Sequence, residues 1–237
     1  MLVRPILLTL PIALLACRAT MPVQDLHQLA QREDLPEFNR IVLDIASEYP
    51  TDGTHDYFWP RGEGPAYDGC TTDVFLQGEK VMDGEPEQRT YCCGLTLEVF
   101  TRAYDRWLEA HPDAAPRVSA ETWRDFQHQW FVPEMWGSGP SAALDANGLG
   151  RTITPEEALP GDFVQLWRVN EKGHSVIFLD WVRDDGGEIT GILYWSTQKG
   201  TQGISPRVEL FDSHDPEEGV IPEYTHWGRA EPSANGG

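Results

Sequence analysis

Two adjacent thiols, Cys92 and Cys93, stand in the stretch TYCCGLTLEVF (residues 90–100), directly before a glycine and an apolar run of helical spacing. Neighbouring cysteines rarely bridge each other, because the short link strains the disulfide. A thiol becomes a strong nucleophile only as its thiolate, and a helix N-terminus lowers its pKa through unpaired N–H groups and the helix dipole. Such a nucleophile needs a base that takes a proton and later returns it to a leaving amine. His174 is the candidate: it follows the turn EKG and opens an apolar strand, where its ring can project from a sheet edge. His55, His128, His214 and His226 read as ordinary surface or core residues.

The elements that must carry these residues fall into two blocks. Ile41, Val42, Ile45, Ala46 and Tyr49 keep helical spacing up to Pro50. After a long Gly-, Pro- and Asp-rich segment, Leu97, Phe100, Tyr104 and Trp107 or Leu108 form the buried stripe of the helix that opens at the cysteines. Cys93 shares that stripe, which favours packing for it. A helix with Trp123, Phe126 and Trp130 is expected next, and SGPSAALDANGLG reads as a loop. In TPEEALPGD, Thr154 is an N-cap, Pro155 the first helical position and Glu157 the closing residue of a capping box. The period then switches to two, giving four strands in DFVQLWR, HSVIFLDWV, GEITGILYWSTQ and RVELF. Helices first and an antiparallel sheet afterwards make an α+β fold.

With 237 residues and 40% hydrophobic content the chain suffices for one domain. Its 18 basic and 38 acidic residues give a net charge of −20, which argues against nucleic acid as a partner, since duplex binding needs cations to displace counterions. Residues 1–17, MLVRPILLTLPIALLAC, read as a secretory signal, too short to span a membrane. Their LLAC ending resembles a bacterial lipobox, with Cys17 as the lipidated residue; cleavage after Ala19 is the alternative. Residues 18–37 read as a tether or loose helix, 38–228 as the single domain and 229–237 as a disordered tail. Export exposes the chain to oxidising conditions. Cys17 aside, three cysteines remain, an odd count, and Cys70 either bridges Cys93 or is simply buried. Of nine tryptophans, Trp59, Trp136 and Trp195 are placed to line a cleft.

YCCGLTLEVF resembles the Cys-Ser-Gly-Leu helix start of the NlpC-type peptidoglycan peptidases, and LPGDFVQLW…GHSVIFL resembles their second hallmark, a Pro-Gly-Asp turn and strand followed by the histidine strand. The related CHAP amidases share the layout. The resemblance covers residues 91–199 and implies a papain-like fold. Aligned on Gly94, it makes Cys92 the nucleophile and puts Cys93 where the family commonly has serine; the reverse assignment stays open. It also implies a third polar residue that orients the histidine from the next strand. LYWSTQ offers Gln198 or Ser196 there, and Gln198 is preferred because its carbonyl oxygen can accept the ring N–H. The expected activity is hydrolysis of an amide in cell-wall peptide by a Cys92–His174 pair with Gln198. No cofactor or metal is implied, and the chain has no HExxH. A monomer in the periplasm or cell envelope is expected, lipid-anchored if Cys17 is acylated. The competing expectation is a catalytically silent lipoprotein that binds wall or a partner protein. Thiol redox chemistry is a third, against which stands the lack of a CxxC pair.

Overall fold

The computed structural model describes residues 25–60, 67–132 and 134–233. The signal segment, Cys17 and residues 234–237 lie outside the described residues. Among the described residues no helix is long and apolar enough to cross a membrane.

The fold is α+β. Five helices, α1 (Leu26–Ala30), α2 (Glu37–Ser47), α3 (Cys92–Ala110), α4 (Trp123–Trp130) and α5 (Pro140–Ala146), accompany a two-stranded hairpin and a six-stranded sheet. The hairpin is β1 (Val74–Leu76) and β2 (Glu79–Met82). The sheet holds β3 (Gly150–Ile153), β4 (Phe163–Trp167), β5 (Gly173–Arg183), β6 (Ile189–Gln198), β7 (Gly203–Leu210) and β8 (His226–Ala230). Its spatial order is β3-β8-β4-β5-β6-β7, and every neighbouring pair is antiparallel.

Strand alternation separates two apolar layers. Phe163, Ile177, Leu179, Leu193 and Trp195 face the helices and join Leu97, Phe100 and Tyr104 of α3. Val164, Leu166, Val176, Phe178, Ile192 and Tyr194 face the other side, with Val220 and Trp227. The stripe expected on α3 is buried as read from the sequence, and α3 ends at His111, before Pro112.

Several elements differ from the expectation. SGPSAALDANGLG contains α5, with Pro140 at its first position, so it is not simply a loop. The sheet has β3 and β8 beyond the four expected strands, and the hairpin VFLQGEKVM went unread. Gln77 and Gly78 at its tip both take positive φ, +50° and +81°, as a tight hairpin turn requires. Leu26, Leu29 and Leu35 are buried against α2, so the core reaches into the segment read as a tether. Arg229 and Ala230, expected in a loose tail, belong to β8 and are buried.

Arg229 explains why β8 stays ordered. The Asp162 carboxylate of the Pro-Gly-Asp turn is fully buried and accepts from Arg229 Nε at 2.9 Å and Nη2 at 2.7 Å, from Asn39 Nδ2 at 2.8 Å and from the Leu159 N–H at 2.8 Å. Next to it, the Phe178 N–H donates to Asp162 O at 2.8 Å, and Gly161 turns with φ +94°. One carboxylate thus fastens α2, β8 and the start of β4.

Removing one member of a buried ion pair strands the other charge. Asp162→Ala is expected to lower unfolding free energy by about 3–5 kcal/mol, read by urea denaturation. The double variant Asp162→Leu/Arg229→Met is expected to recover part of that loss.

Candidate active site

The start of α3 is set by a close contact between glycines. A Cβ on Gly94 would lie 2.5 Å from Gly69 Cα and 2.4 Å from Asp68 O, so only glycine fits. Gly69 has φ +73°, and its own missing Cβ makes room for the Tyr91 ring. Hydrogen bonds hold the approach: Tyr91 N–H donates to Gly69 O at 3.2 Å, as does the Thr90 hydroxyl, and Asp68 accepts from Arg124 and Gln127 on α4. This is why a glycine follows the two cysteines. Tyr91 is extended and supplies no side-chain cap.

Cys92 and Cys93 are both buried and free, as is Cys70, so no disulfide forms among them. Cys70 Sγ donates to Asp83 O at 3.2 Å, and burial pushes its thiol up. The adjacent pair divides sharply. Cys92 is held well below the ordinary thiol range, first by a hydrogen bond from the Cys93 thiol, then by the charge and hydrogen bond of His174 and by the Ser175 N–H, together outweighing burial. Cys93 is pushed well up by burial and by its bond to Cys92. It packs in the apolar core beside α3's stripe, and Cys92 does not. The two thiols therefore differ in setting: burial keeps Cys93 protonated, and Cys92 faces His174 and the Ser175 N–H.

His174 opens β5, opposite Leu166 of β4, and is buried with its ring edge-on to Tyr194, centroids 5.6 Å apart. Its Nε2 is buried without a partner among the described residues, and Cys92 lies within reach of its charge and hydrogen bonding. The structure thus brings together two residues that are 82 positions apart in the chain.

Gln198 closes β6 on the same face. Continuing the β5–β6 register from Ile177 opposite Trp195 sets His174 opposite Gln198, and the Ser196 hydroxyl donates to Ser175 O at 2.8 Å. Ser196 is thereby committed to the backbone. The Tyr194 hydroxyl lies 2.9 Å from Gln198 Oε1 and 2.6 Å from Glu209 Oε1. A phenol has one proton, and the closer, charged acceptor takes it. Burial and the Glu209 charge keep Tyr194 protonated. The Gln198 amide then satisfies the network best with its nitrogen toward Tyr194, since amide oxygen and nitrogen are assigned from their partners. That rotation turns Oε1 toward the place now held by Nε2, which is buried without a partner.

Glu209 on β7 was missed by sequence reading. Arg168 grips it at 2.7 Å through both Nε and Nη2. Although burial opposes it, Arg168, His174 and Tyr194 hold this carboxyl below its usual range. The signal was available in the strand RVELF, where a charged residue alternates onto the face shared with Tyr194.

A cleft of about 810 Å³ opens onto the thiols and His174, with Gln165, Gln198 and Glu209 also in its wall. Tyr57 and Trp59 form one side, and Trp59 is 51% exposed. Of the other two tryptophans considered for the cleft, Trp195 is fully buried on the opposite face of β6 against Tyr49, and Trp136 packs at a tilt against Trp167 and Tyr224 outside the lining. Among the described residues no group of three or more His, Cys, Asp and Glu is placed to hold a metal ion. No family model, no curated protein and no solved structure matches the chain.

Because the folded pKa of Cys92 is depressed, its thiolate persists as pH falls and is lost only below that depressed value. Alkylation of Cys92 by iodoacetamide is expected to stay fast below pH ~8.5, where an ordinary thiol slows. Cys93→Ala removes the principal donor and is expected to move the inflection upward; Cys93→Ser, which keeps an O–H donor, is expected to move it less. Rates from mass spectrometry across pH check both.

Proposed function

We propose that the chain is an exported cysteine hydrolase of papain-like, NlpC-type fold that cleaves an amide in cell-wall peptidoglycan. The observation that carries this reading is the buried Cys92 thiol beside His174, at the head of a helix that packs on the sheet and at the foot of the cleft. The α+β order, with the cysteine helix before the histidine strand, supports it, as does the cleft above the pair. The peptidoglycan assignment rests on the two motifs around Cys92 and His174, and export on the apolar run and LLAC of residues 1–17, which also make Cys17 a candidate for lipid anchoring.

In this mechanism the Cys92 thiolate attacks the amide carbonyl carbon while His174 holds the proton. The oxyanion that forms lies near unpaired N–H groups of the first turn of α3, including that of Cys92. His174 gives its proton to the departing amine as the C–N bond breaks, leaving a thioester on Cys92. It then takes a proton from water, which attacks the thioester and frees the acid. Gln198 Oε1 accepts the Nε2–H of His174, fixing the tautomer that leaves Nδ1 for the sulfur. Tyr194 and the Glu209–Arg168 pair hold the Gln198 amide.

Digestion of purified cell wall followed by mass spectrometry tests the reading. The native protein is expected to release new amine and carboxyl ends. Cys92→Ala is expected to lose at least about a thousandfold in rate with an unchanged melting curve, and Cys93→Ser to stay active. Gln198→Ala is expected to lower kcat with KM little changed. Turnover by Cys92→Ala, or none by the folded native protein, would overturn the assignment.

A further inference from the structure

Lysine is scarce in this chain: it has three, against 38 acidic residues. Lys80 is paired with Asp83 at 2.7 Å and Asp73 at 3.4 Å. The other two, Lys172 and Lys199, both line the cleft over the thiols. Lys172 sits in the turn between β4 and β5, two residues before His174, and Lys199 directly follows Gln198 at the end of β6. These turns lie at the same end of the sheet, so the cations flank His174.

Neither lysine has an ion pair among the described residues, whereas nine of the twelve described arginines do. On a surface so rich in carboxylates, two exposed cations left without an ion pair on one cleft stand out. The other charges on the cleft do not cancel them. Glu209 is occupied by Arg168, and Arg207 adds a cation 3.5 Å from the same carboxylate. Among the described residues Glu218 is the one further acid in the lining. The cleft is thus a cationic site on a protein of net charge −20.

We propose that the cleft takes an amide substrate with a carboxylate close to the scissile bond, held by Lys172 and Lys199. This rests on Cys92 as the nucleophile and adds the charge of what it attacks. Lysine binds such a group as a compact, strongly hydrated point charge, so the contribution is selectivity and capture rate, weakened by salt.

Iodoacetate and iodoacetamide test this on the intact protein. Both alkylate a thiolate with loss of iodide, and they differ by one negative charge. The ratio of their rates at Cys92 therefore reads the local potential independently of the thiol's own pKa. Relative to free cysteine, native Cys92 is expected to favour iodoacetate, despite the protein's overall charge. Lys172→Gln/Lys199→Gln is expected to lower the ratio at least threefold, and Lys172→Glu/Lys199→Glu further, with native-like melting. About 1 M salt is expected to compress the differences. Fast alkylation with a ratio that both double variants leave unchanged overturns the substrate class and spares the nucleophile. Slow alkylation of Cys92 by both reagents overturns the nucleophile, and the proposal with it.

Discussion

The buried carboxylate of Asp162 is the fixed point from which the sheet that carries His174 is measured. Its four donors come from α2, from the turn before β4 and from β8, three parts of the chain with no local reason to meet. A carboxylate withdrawn from water is tolerated only when its lone pairs are taken, so the three segments must assemble together. From that anchor the antiparallel ladder runs on without freedom. Phe163 sits opposite Ile177, and three steps later Leu166 sits opposite His174. A slip of one residue would turn His174 to the helix face, away from Tyr194 and Glu209.

The thiol is placed by a different kind of constraint, steric rather than electrostatic. Gly94 meets the backbone at Gly69 too closely for any side chain, which presses the first turn of α3 into the loop before it. The loop wall of the cleft is tied to the same place: Phe58 N–H donates to Thr90 O at 2.9 Å and Thr90 N–H to Asp56 O at 3.0 Å. Farther along, Gly203 (φ +116°) lets His55 O lie against the turn after β6, so one segment touches both the helix start and the sheet end. The segment that bears Tyr57 and Trp59 is thereby fastened both beside the thiols and beside the end of β6.

Much of this was legible in the sequence because it is written locally. The switch of period from 3.6 to 2, the capping box at Thr154–Glu157 and the apolar stripe of α3 depend on near neighbours, and they gave the class and the main elements. Cys92 and His174 stood out for the same reason, each at the head of a clear element. What escaped depends on distant partners. β3 and β8 are short, and β8 is held by an arginine whose acid lies 67 residues earlier. α5 is seven residues long and hidden among glycines and serines. Trp195 was a cleft candidate only from its place near a strand end; its alternation away from Gln198 was legible, but not that the helices cover that face. Glu209 gains its meaning only from Arg168, just past the end of β4, and from Tyr194 on β6.

The division of labour between the two thiols also ties reactivity to folding. Cys93 adjoins Cys92 in every conformation, but the charge of His174 and the N–H of Ser175 reach the sulfur only once β5 has docked on α3. Until then the nascent chain carries two ordinary thiols, slow to react at neutral pH. A local opening that lifts β5 from α3 would withdraw the His174 and Ser175 contributions in the same way, before any element melts. The speed at which Cys92 takes up an electrophile therefore reports, molecule by molecule, whether the second half of the chain has arrived.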